Sequence, residues 1–86
     1  MSSASIIQVA KEIAEDILAG SVSPYDGGYR IWKECQLALL PNDHRLDPFV
    51  YWSSEYQDTS DKERRALCDN AIRVAAAALV QQGGAL

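Results

Sequence analysis

One histidine, His44, and two isolated cysteines, Cys35 and Cys68, make up the imidazole and thiol inventory of this 86-residue chain. A structural zinc site draws on closely spaced cysteines and histidines, and no Cys-x-x-Cys pair occurs, so a metal centre is not expected. Nucleophilic catalysis needs a base within hydrogen-bond reach of the nucleophile. Cys35 with His44 is the one pairing the composition allows, and Cys35 falls on the same apolar helix face as Trp32 and Leu39. Carboxylates are no better placed. Glu55 and Asp58 stand three residues apart on one helix edge, whereas glycosidase chemistry sets two acids across a cleft. Gly27-Gly28 lacks the spacing of a P-loop or dinucleotide fingerprint. The chain is therefore expected not to be an enzyme and to carry no cofactor.

Basic charge is also scarce: eight Lys and Arg face twelve Asp and Glu, for a formal charge of −4 and a pI near 4.7. Without a basic stripe to release phosphate counterions, nucleic acid is excluded as a partner. The basic residues Lys62, Arg64, Arg65 and Arg73 are interrupted by Glu63 and Asp69 and read as a solvated helix face. Long apolar runs are missing as well. The stretch from Val74 to Val80 is mostly alanine and far too short to span a bilayer. Met1-Ser2-Ser3 offers no basic leader region ahead of an apolar segment. The expectation is a cytoplasmic, soluble, single helical domain over residues 1–86, frayed at 1–4 and 83–86, with both thiols free and buried.

Helical periodicity is what the sequence has in abundance, and period-two alternation is absent. Ser5 with Gln8 reads as a capping box, followed by the stripe Ile6, Val9 or Ala10, Ile13, Ile17, and Gly20 takes the left-handed position after the last turn. Ser23-Pro24 opens a second helix, in which Tyr25, Gly28 or Tyr29, Trp32, Cys35 and Leu39 continue one face until Pro41. Two glycines so early in a helix are each worth ~1 kcal/mol less than alanine. Close approach to the first helix explains Gly27-Gly28, and a local break is the competing explanation. Asp47-Pro48 repeats the cap-plus-proline device ahead of a short third helix. Ser60 with Glu63 forms a second capping box, and Leu67, Cys68, Ala71, Ile72, Ala75 and Leu79 then recur at helical spacing up to Gly83-Gly84. Helices are predicted over 5–19, 24–40, 48–56 and 61–82. Short connections favour a compact antiparallel all-α bundle of about four helices.

Leu18-Ala19-Gly20, Ser23-Pro24, Gly27-Gly28 and Ile31-Trp32, followed by the run from Leu46 to Glu55, resemble a pattern in short uncharacterised bacterial helical proteins. The likeness covers roughly residues 13 to 80. It implies a helical fold and carries over no catalytic or binding residue. Some small acidic helical bacterial proteins serve as immunity proteins that neutralise a toxin, an analogy at the level of fold.

The distribution of aromatics and acids points to a surface. All seven aromatics lie between Tyr25 and Tyr56. Trp32, Phe49 and Trp52 suit a core, whereas Tyr51 and Tyr56 suit an interface, where apolar area with a polar tip is favoured. Asp43, Asp47, Glu55, Asp58 and Asp61 fall in the same region, with Asp47 and Asp61 serving helix starts. The expected function is a protein–protein interaction module, in its sharpest form an immunity- or antitoxin-like inhibitor. It would bind a basic protein, such as a toxin domain, through Asp43, Tyr51, Glu55, Tyr56 and Asp58. The alternative is a small-ligand-binding or regulatory helical domain with a pocket among Tyr29, Trp32 and Trp52. No membrane partner is expected.

Overall fold

In a computed structural model, residues 3–39 and 44–84 are described, with side chains for 4–39 and 44–81. Four α-helices follow one another: α1 (Ser3–Ala19), α2 (Pro24–Arg30), α3 (Asp47–Asp58) and α4 (Lys62–Gly84). No strand occurs among the described residues. The radius of gyration is 12.2 Å, matching the ~12 Å of a single packed body of this length.

α1 buries Ile6, Ile13 and Ile17 of the predicted stripe and, of its alternatives, Ala10 rather than the half-buried Val9, and adds Ile7 and Ala14. Its end is a Schellman motif. Gly20 has φ +80°, Ser21 N–H donates to Asp16 C=O at 2.9 Å, and Gly20 N–H donates to Ile17 C=O at 3.2 Å. Glycine reaches this left-handed conformation without the Cβ clash other residues meet. The start differs from the expectation. The helix is already formed at Ser3, so Ser5 lies inside it rather than capping it.

α2 begins as its sequence dictates. Ser23 is extended (φ −66°, ψ 153°), its hydroxyl accepts from Asp26 N–H at 3.2 Å, and Pro24 opens the first turn. Gly27-Gly28 does not break the helix. A Cβ at Gly27 would stand 2.4 and 2.6 Å from the Ile17 side chain of α1, and one at Gly28 would stand 2.8 Å from Ser53 Oγ of α3. The glycines let three helices approach, which extends the expected contact with α1 to α3 and to Ile72 of α4. The break comes later. After Arg30 the chain widens to a π-helical turn over Ile31–Cys35, tightens to a 3-10 turn over Gln36–Ala38, and is extended at Leu39. The uninterrupted helix expected to residue 40 is corrected accordingly. Pro41, its predicted stop, lies outside the described residues.

A 3-10 turn, His44–Leu46, leads into α3. Asp47 is the first residue of α3 and not its cap. Leu46 holds the cap position without a side-chain hydrogen bond. At α4 the cap is Asp61 and not Ser60. The Asp61 carboxylate accepts from Glu63 N–H at 3.3 Å, and Asp61 C=O accepts from Arg65 N–H at 3.0 Å. α4 packs along both α1 and α3 and buries Cys68, Ile72, Ala76 and Leu79. Leu67, expected on that face, is 49% exposed. The helix also runs through Gly83-Gly84 instead of stopping there, and residues 3–4 and 83–84, expected to fray, are helical at the backbone. The core is completed by Ile31, Cys35, Leu39, Leu46 and Phe49.

Candidate functional site

α3 buries Phe49 and Ser53, with Trp52 and Tyr56 half-buried beside them. Residues two positions beyond each of these buried residues sit ~200° around the helix and point outward, because 3.6 residues make a turn. Tyr51, Glu55 and Asp58, spaced i, i+4, i+7, form this outward face. Tyr51 is 53% exposed and its ring meets Trp52 edge-on at 4.8 Å. Asp58 is exposed, while Glu55 is half-buried and accepts from Arg64 Nη2 of α4 at 3.1 Å. The acidic face is thus partly neutralised at its centre and open at Asp58. Of the remaining site residues, Asp43 lies outside the described residues. Tyr56 lies on the other side of α3, where it stacks on Tyr25 with centroids 4.2 Å apart.

That stack belongs to an aromatic ribbon. Tyr25, Tyr29 and Trp32 lie along one edge of α2 and the turn after it, with successive centroids 6.0 Å apart. Tyr56 extends the ribbon onto α3. Each end holds a cation against a ring: Lys33 Nζ is 3.9 Å from the Trp32 centroid and the Arg65 guanidinium 4.8 Å from that of Tyr56. Gln57 Nε2 donates to the Tyr25 hydroxyl at 2.8 Å. Trp32 and Trp52 are half-buried and Phe49 fully buried, so only the phenylalanine is a core aromatic in the full sense. The ring contacts fall into two groups, Trp32 with Tyr29 and Trp52 with Tyr51, rather than one cluster of Tyr29, Trp32 and Trp52. The i, i+4, i+7 spacing of Tyr25, Tyr29 and Trp32 is visible in the sequence. Its junction with Tyr56 depends on how α2 and α3 dock.

A polar network was not foreseen. Buried Gln36 donates through Nε2 to Asp47 Oδ1 at 2.8 Å, and the other Asp47 oxygen lies 3.0 Å from His44 Nδ1. The Asp47 carboxylate therefore ties the 3-10 turn after α2 to the start of α3. Cys35, one residue before Gln36, is buried and its thiol is pushed up, first by desolvation and then by Glu34, with Arg30 opposing. Burial likewise raises Cys68. Both cysteines are free and buried, and the thiolate form that nucleophilic or metal chemistry needs is disfavoured at each. Among the described residues no three His, Cys, Asp or Glu are grouped to hold a metal ion, and no helix is long and apolar enough to cross a membrane.

Asp69 of α4 breaks a local rule. Its Oδ1 is buried with no hydrogen-bond partner. Desolvation pushes its carboxyl up, Arg73 and the Tyr25 backbone N–H oppose that shift, and Asp26 adds to it. Comparison with protein-family models, curated proteins and solved structures returns no match to this chain.

Proposed function

We propose that this chain is a protein–protein interaction module of the cytoplasm, acting as an immunity- or antitoxin-like inhibitor that occludes a basic partner. The observation that carries the proposal is the outward face of α3. A tyrosine that is 53% exposed stands one turn from Glu55 and two turns from Asp58 on a rigid helix. Such a face combines an amphipathic aromatic anchor with charge that steers a cationic surface into place. Two free, buried thiols accord with a reducing compartment.

The test is co-purification of the tagged chain from its native cells, repeated with Tyr51→Ala and Asp58→Lys. Asp58 is the better probe because a charge reversal at Glu55 would also break its pair with Arg64. A basic partner should be retained by the wild-type chain and weakened by both variants, and added salt should shrink the Asp58→Lys effect. Addition of the purified chain should inhibit that partner's activity at equimolar ratio. A partner that is acidic, or that both variants bind as the wild type does, would sink the proposal.

A further inference from the structure

α4 has two apolar faces. The inner one, through Cys68, Ile72, Ala76 and Leu79, is packed in the core. A second, Leu67, Ala71, Val74 and Ala78, recurs at spacings of four, three and four residues, the repeat of a helix–helix seam. It looks outward: Leu67 is 49% and Val74 63% exposed, Ala78 is exposed and Ala71 half-buried. The seam runs for ~16 Å along the helix and bears no charge, with Asn70 and Gln81 at its flank.

In a chain that is 23% charged, an uncharged seam of this length calls for an occupant as uncharged as itself. The other outer faces of the molecule do not qualify. α1 presents Glu12, Glu15 and Asp16, α2 presents Asp26 and Arg30, and α3 presents Asp47 and Asp58, all exposed. We propose that the occupant is the same seam of a second copy, with the two α4 helices antiparallel about a two-fold axis between residues 72 and 73.

Size and charge set this orientation. In the antiparallel register Leu67 meets Ala78 of the partner subunit and Ala71 meets the partner's Val74, so every layer sets a large side chain against a small one. A parallel pair would instead stack leucine on leucine and alanine on alanine, leaving the layers unequal. At the start of α4, Arg64 is paired with Glu55 and Arg65 lies over Tyr56, so the helix dipoles set the direction. Antiparallel pairing brings the positive dipole end of each α4 alongside the negative end of its partner. Parallel pairing would set like charge beside like charge. A seam this short falls below the ~1,200–2,000 Å² of a standard interface, so a weak, concentration-dependent dimer is expected.

Sedimentation equilibrium on the full chain, over the micromolar to sub-millimolar range of a weak dimer, tests the proposal. The mass should rise from 9.5 kDa toward twice that value. Val74→Glu and Leu67→Glu should each hold the chain monomeric with an unchanged circular dichroism spectrum. Leu37→Glu, at a site 62% exposed elsewhere, should leave association intact. If either seam variant loses its helical spectrum, cysteine pairing decides: Ala71→Cys mixed with Val74→Cys should cross-link on oxidation more than either alone. A wild-type chain that stays monomeric throughout overturns the proposal and hands the seam to some other partner. So do seam variants that associate as wild type does, or mixed cysteines that cross-link no better than the separate ones. The α3 docking face stands or falls independently of this result.

Discussion

At the scale of single residues, Gly27 and Asp69 hold the most stringent positions. Alanine at Gly27 would force its Cβ to 2.4 and 2.6 Å from Ile17, a side chain only 2% exposed and held on every side. Overpacking of this kind costs ~1–3 kcal/mol, and better helix propensity returns up to ~1. Gly27→Ala should therefore lower stability by ~1–2 kcal/mol in urea denaturation. A neutral or stabilising result would mean that α1 and α2 are not in contact there. Asp69 yields a pH prediction. Its folded carboxyl is raised, first by desolvation, so the unfolded chain loses this proton at lower pH than the folded chain does. Stability linked to Asp69 is fully present below the ordinary carboxylate pKa, ~3.9, and is lost as pH rises through the higher folded value. Asp69→Asn, which keeps the shape and an acceptor without the charge, should be more stable than wild type at neutral pH. The gap should close as the pH falls below ~4. Thermal melts from acid to neutral pH would show it, and a gap that widens toward acid would refute the assignment.

Between elements, the contacts that fix how α2 meets α3 are polar and aromatic as well as apolar. Asp47 joins the end of the α2 region through Gln36, and Tyr25 of α2 stacks on Tyr56 of α3 at 4.2 Å. A double-mutant cycle on Tyr25→Leu and Tyr56→Leu should return a coupling of ~0.5–1.5 kcal/mol, the range for stacked rings beyond their burial. Additive effects would mean that the stack contributes nothing to docking. A second cycle separates two roles for Asp47. A carboxylate acting only as a helix cap would add independently to Gln36→Ala. One that satisfies the buried Gln36 amide should couple to it by ~1 kcal/mol. Gln36 directly follows the π-helical turn over Ile31–Cys35 and opens the 3-10 turn over Gln36–Ala38, a form with poorer hydrogen-bond geometry than the α-helix.

Across the whole molecule, the two thiols report on global packing. Cys35 and Cys68 are 1% and 0% exposed, on different elements of the fold. A thiol reagent under native conditions should modify both slowly, and denaturant should accelerate both along the unfolding curve. Fast native labelling of Cys35 alone would show that the irregular turns around it open locally.

The apolar stripes, the Ser23-Pro24 start, the Gly20 stop and the absence of period-two alternation were enough to place four helices in this chain, but not the end of the second, which gives way to irregular turns after Arg30. Each of these depends on neighbours within a turn or two, and helical spacing makes such relations legible in one dimension. The outward placement of Tyr51, Glu55 and Asp58 follows from the same spacing. Tertiary structure alone decided the rest. Leu67 and Cys68 are adjacent in sequence and both apolar, yet only Cys68 is buried, because α1, α2 and α3 pack against just one of the two apolar faces of α4. Asp47 has the sequence of a cap, yet its carboxylate is drawn to a buried amide eleven residues earlier. A buried donor gains more from a charged acceptor than an exposed helix start does. Tyr56, read as surface, closes on a ring of α2 that no local spacing could place beside it.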